Sequence, residues 1–133
     1  MSHPTDPIVQ YRTSDGVLVL SVATPRLNNV DTVTSFDREL RHLARSRGES
    51  RWLIDFGNTT FFITPAVNAL LVVLRGLRER GGRLVLTGVS QDVRYVLGLL
   101  RVAGVFTICP NVAAGMDELV DAAAGRNEAA EAG

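Results

Sequence analysis

Two short apolar runs open the chain, Ile8 to Thr13 and Val17 to Ala23, with Ser14-Asp15-Gly16 between them. Both runs favour β structure, and Asp-Gly between them predicts a hairpin because both residues tolerate positive φ. Thr24 to Asn29 reads as a connector. From Val30 the period changes: Val33, Phe36, Leu40, Leu43 and Arg47 recur in three- and four-residue steps, with polar residues between them. That spacing predicts an amphipathic helix ending around Gly48. Arg51 to Phe56 is apolar on both faces and predicts a central strand.

After Gly57 to Thr60 comes a short aromatic run, Phe61-Phe62-Ile63. Thr64-Pro65 then predicts a sharp helix start, with the Thr64 hydroxyl at the N-cap and proline at the first helical position. The helix from Pro65 to Arg80 turns arginine-rich towards its C-terminal end, where cations suit the helix dipole. Gly81-Gly82 stops it. Arg83 to Thr87 predicts another apolar strand. Ser90 caps a helix carrying Val93, Val96, Leu97 and Leu100 and ending near Gly104. Val105 to Cys109 predicts a last strand, and Val112 to Ala124 a final helix.

The order β-β-α-β-α-β-α-β-α predicts an α/β domain. Its sheet is mainly parallel, of four or five strands, with the opening hairpin as an antiparallel edge and about four helices. Leu53, Ile54, Leu70, Leu74, Leu84, Val85 and Leu86 are the expected core. Residues 8–124 form one domain in this reading, flanked by a flexible N-terminus, 1–7, and a flexible tail, 125–133. The N-terminus has no apolar signal-peptide core, so the expected compartment is the cytoplasm.

Composition narrows the chemistry. The 133 residues carry 14 basic and 14 acidic side chains, a balance that speaks against a nucleic-acid partner. No apolar run is long enough to span a bilayer, so no membrane partner is expected. Every basic residue is arginine, which excludes a catalytic or Schiff-base lysine. The single cysteine, Cys109, excludes an internal disulfide, and in this reading it is a buried, inert thiol. His3 lies in the N-terminal segment, and His42 lies off the apolar stripe of its helix. No phosphate-binding glycine loop, nucleophile elbow or metal-ligand spacing is present. No enzyme activity, metal or cofactor is expected from this inventory.

Two residues at helix starts each admit two readings. Thr64 is either a cap worth about 1 kcal/mol or a phosphorylation site at the positive end of a helix. Asp31 either complements the dipole of the first helix or is a surface charge beside the Thr64 loop.

The stretch Trp52-Leu53-Ile54-Asp55-Phe56, the loop to Thr64, the apolar-to-arginine helix and Gly81-Gly82-Arg83-Leu84-Val85-Leu86-Thr87-Gly88-Val89-Ser90 together resemble the STAS domain. So do Val93 and Ala103-Gly104-Val105. This is the domain of bacterial anti-sigma factor antagonists and of stressosome proteins, and the resemblance covers residues 8 to 124. Counting back from Gly81-Gly82 places Thr64 on the residue that a partner kinase phosphorylates in the family's D-S-[ST]-G-L-G motif. Here the flanking residues are Ile63, Pro65 and Ala66-Val67-Asn68. Asn28-Asn29-Val30-Asp31 stands where the family has G-[ED]-L-D. The resemblance implies a stress-response transcription regulator that binds a kinase-type anti-sigma factor and releases a sigma factor. The contact would fall on Asn29, Asp31, Phe61, Phe62, Ile63, Thr64, Pro65 and Asn68, with one of the two adjacent phenylalanines in the core. The alternative is a stressosome-like scaffold subunit that self-associates as a homo-oligomer and is not phosphorylated. A third possibility is a small-molecule sensor with an apolar cleft.

Overall fold

In a computed structural model of the chain, which describes residues 7–120, Asp15 and Gly16 both have positive φ, 52° and 77°. They close a two-residue turn between β1 (Val9–Ser14) and β2 (Val17–Val22), which pair antiparallel from Val9↔Val22 to Ser14↔Val17. Parallel pairing then adds β4 (Arg51–Asp55), β6 (Arg83–Thr87) and β7 (Thr107–Cys109), giving the order β1-β2-β4-β6-β7. The doubly apolar segment at Trp52 to Ile54 is therefore the central strand. Two two-residue strands, β3 (Arg26–Leu27) and β5 (Phe61–Phe62), form a separate parallel pair.

The crossovers are α1 (Val30–Ser46), α2 (Thr64–Glu79) and α3 (Gln91–Leu99). All three cover one sheet face. Val33, Phe36, Leu40 and Leu43 of α1 and Leu70 and Leu74 of α2 share a buried cluster with Leu18, Leu20, Trp52, Ile54, Leu84 and Leu86. The residues alternating with these, Val17, Val19, Leu53 and Val85, pack on the opposite face with Leu119. Leu119 belongs to α4, helical through 112–120. Gly115 lets α4 sit close, since a Cβ there would come within 2.7 Å of Leu53 Cδ1 and 2.8 Å of Thr87 Cγ2. All seven expected core residues are buried.

The helix ends differ from one another in an instructive way. α2 stops as its glycines predict: Gly81 has φ 74°, the Gly81 N–H donates to Arg78 and the Gly82 N–H donates to Leu77. Gly82 is also pressed on the neighbouring turn, because a Cβ there would overlap the Ser50 carbonyl. α3 ends by the same pair of bonds, Arg101 to Gly98 and Val102 to Leu97, but Arg101 takes the left-handed position at φ 60°. So α3 ends at Leu99 rather than near Gly104. The following turn delays the last strand to Thr107, against the expected start at Val105. The N-terminal residues 1–6, the expected helix end at 121–124 and the tail 125–133 lie outside the described residues. No helix among the described residues is long and apolar enough to cross a membrane.

Candidate functional site

The site is built on the β3–β5 pair. Arg26↔Phe61 and Leu27↔Phe62 run parallel, and the Ile63 N–H donates to the Leu27 carbonyl at 3.0 Å. The two chains leaving this pair become the starts of α1 and α2, which brings Asn29 and Asp31 to the same rim as Ile63 to Asn68. The loop beneath is pinned from three sides. The buried Thr59 hydroxyl donates to the Thr24 carbonyl (2.7 Å), the Thr60 N–H donates to Pro25 (2.9 Å), and the Ser90 hydroxyl donates to the Thr60 carbonyl (2.7 Å).

A second set of bonds fixes the strand ends. Asp55 Oδ1 accepts from the Gly57 N–H at 2.9 Å and from the fully buried Thr87 hydroxyl at 3.2 Å. Gly88, at φ 66°, lies against Gly57, where a Cβ would come within 2.7 Å of the Gly57 nitrogen. The Gly81 to Ser90 segment is thus engaged throughout by the scaffold. The sequence marks Ser90 only as a cap; its bond to Thr60, and the bonds of Thr59 to Thr24 and of Asp55 to Thr87, depend on partners remote in the chain.

Each expected site residue can now be placed. Asn29 is the N-cap of α1, its side chain accepting from the Thr32 N–H at 2.9 Å. Asp31 is exposed in the first turn. Phe62 is fully buried and meets Phe56 at 5.3 Å between ring centroids, so it belongs to the core and leaves the contact surface. Phe61, on the other side of the strand, is half-buried. Ile63 packs partly against the core, and Pro65 and Asn68 are exposed.

Thr64 differs from its expected role. The N-cap of α2 is Ile63, and no side chain caps this end. Thr64 is the first helical residue, with proline after it. The reason is the bond from Ile63 N–H to Leu27, which keeps Ile63 extended as the cap residue and starts the helix one residue earlier. The Thr64 side chain is exposed and makes no hydrogen bond among the described residues. The first turn is also poorer in donors than a proline-free one. Pro65 has no N–H and the Ala66 N–H donates to Ile63 at 2.9 Å, which leaves the Thr64 N–H as the open donor of these three residues.

The remaining titratable groups lie elsewhere. Cys109 is half-buried rather than buried; burial and then Glu118 push its thiol above the usual range, with Arg83 opposing. His42 is exposed on α1. Among the described residues no group of three His, Cys, Asp or Glu side chains is placed to hold a metal.

The five-stranded sheet, the hairpin edge and the paired helix starts define an α/β domain of the STAS type. The sequence model described as "Mlab, STAS domain" matches residues 9–110, and the chain belongs to this family. Its structure is similar to an anti-sigma factor antagonist from Mycobacterium paratuberculosis, with TM-score 0.74 at 16% identity over 90% of this chain and 98% of that one. It is similar also to RsbS of Moorella thermoacetica, with TM-score 0.70 at 20% identity over 86% and 97% of the two chains. A third likeness is to the Bacillus cell-fate determinant SpoIIAA in its phosphorylated form, with TM-score 0.61 at 16% identity over 86% and 98%. No curated protein matches the chain.

Proposed function

We propose that this chain is a non-catalytic, cytoplasmic regulator that works by binding, in the manner of an anti-sigma factor antagonist. Its partner in this reading is a kinase-type anti-sigma factor, docked on the rim of Asn29, Asp31, Phe61, Ile63, Thr64, Pro65 and Asn68. The observation that carries the reading is the β3–β5 pair, which presents two helix starts side by side and leaves the Thr64 hydroxyl exposed and without a partner among the described residues. A hydroxyl so placed is open to a kinase, and a phosphate on it would meet the positive end of α2.

The test is a titration of the purified parent and Thr64→Glu against the kinase-type anti-sigma factor of the same cells, beside their melting curves. The expected result is weaker binding by Thr64→Glu with an unchanged fold, as the added charge is rejected at a packed interface. Equal affinity would remove Thr64 from the mechanism. The thin donor set at α2 and the proline after Thr64 favour a second reading, a subunit that self-associates without phosphorylation. Sedimentation showing a large particle of this chain alone would select it.

A further inference from the structure

α1 and α2 lie side by side and leave a groove between their C-terminal halves, with a volume of about 370 Å³. Its floor is apolar, made by Ala44, Val73 and Leu77. Its walls carry Arg41, Arg45 and Arg80 against one acid, Glu79. Arg41 is held by Asp37 at 3.0 Å and Arg80 donates to the Glu49 carbonyl at 3.3 Å, whereas Arg45 has no ion pair among the described residues. A smaller groove of about 240 Å³ shares Arg41 and Val72 and continues past Asp37, Pro65 and Asn68, so the trough reaches the rim with three arginines against two acids.

Two details of α2 are not accounted for by the fold. Val72 stands 44% exposed in the groove wall. One turn on, Gly76 occupies a helix interior, where glycine is a poor choice, and a Cβ there would meet nothing within 4 Å. Internal packing therefore does not require glycine at this position, and Gly76 lines the open groove.

We propose that this trough is a docking site for an acidic amphipathic helix of a partner protein. An apolar stripe of the incoming helix would pack over Gly76 and beside Val72, with flanking carboxylates on Arg45 and Arg80. From Pro65 to Arg80 the trough follows about 22 Å of helix, which a partner helix of about four turns would fill. The arginine excess selects the sign of the partner's charge, and the missing side chain at Gly76 selects a helix that comes close. This surface goes beyond the Thr64 rim and does not depend on Thr64.

The probe is a designed peptide of about 15 residues, helical, with an alanine–leucine stripe flanked by glutamates, titrated while the protein's amide resonances are followed. Its twin carries lysine in place of every glutamate. The expected result is shifts confined to α1 and α2 along the trough, binding weakened about tenfold or more by Arg45→Glu and by Gly76→Leu, and no change with a substitution of exposed Tyr95 on α3, Tyr95→Ala. Arg45 is exposed and a Cβ at Gly76 would meet nothing within 4 Å, and melting curves of the two variants check that they fold. Four results would overturn the proposal: no shifts, shifts elsewhere, equal binding of the lysine twin, or self-association of this chain through the trough that Gly76→Leu abolishes. Because the rim is tested by Thr64→Glu against its own partner and the trough by Arg45→Glu and Gly76→Leu against the peptide, failure at the trough leaves the rim reading standing, and the reverse holds as well.

Discussion

The Ile63 N–H donates to the Leu27 carbonyl at 3.0 Å, and this bond sets the starts of the two parallel crossover helices beside each other. It also removes Thr64 from the capping position, since Ile63 is held extended as the last residue before the helix. A residue that reads as structural by local rule is thereby left exposed, its hydroxyl without a partner among the described residues.

The caps should therefore rank in an order that local rules do not anticipate. Thr64→Ala should change stability by no more than about 0.5 kcal/mol, because no bond is lost. Ser90→Ala should cost about 1–2 kcal/mol, as it removes both the cap to the Val93 N–H (3.2 Å) and the bond to Thr60. Chemical denaturation of the two variants measures this. A Thr64→Ala loss equal to that of Ser90→Ala would restore Thr64 as a cap.

Gly82→Ala should destabilise by about 1–3 kcal/mol or more, since the added methyl overlaps the Ser50 carbonyl, a backbone atom that cannot swing aside. Gly48→Ala, with open space around its Cβ position, is the control and should be close to neutral. Comparable midpoints for the two variants would contradict the packing of α2's end on the Ser50 turn.

Gly76→Ala should stabilise the free protein by about 0.5–1 kcal/mol, raising Tm by a few degrees, because alanine is the better helix former and the space is empty. The same substitution should weaken the acidic peptide, by spacing its backbone away from α2. A destabilised Gly76→Ala protein would mean that glycine there serves the fold.

Acid should act through the Arg47–Glu49 pair, 2.7 Å apart. The bond from Arg47 holds the Glu49 carboxyl below its ordinary range, against an opposing push from burial. The folded state thus binds this proton less readily than the unfolded chain. The pair's contribution is present above the ordinary carboxylate range and is lost as the pH falls below that range and Glu49 is protonated. Glu49→Gln should melt slightly below the parent at pH 7, with the difference closing over that window. A difference independent of pH would show that the loss comes from packing.

Much of this architecture is legible in the residues themselves. Asp15-Gly16 specifies its turn because only certain residues accept two positive φ values in succession, and Trp52 to Ile54 announces a central strand by being apolar on both faces. The stripe Val33, Phe36, Leu40 and Leu43 declares the buried side of α1 by its period. These are local facts, written in turn chemistry and repeat length. Tertiary structure decided the rest. A two-residue pair such as β3–β5 has no period to read, so the hydrogen bonds between distant segments alone create it, and with it the position of Thr64 and the separate fates of Phe61 and Phe62. Arg101 ends α3 in a left-handed conformation that sequence assigns to glycine, because Val102 and Leu97 close the turn around it. The trough over Gly76 exists only once two helices lie together: a glycine in a helix shows its purpose by what surrounds it, and here that is open space lined with arginine.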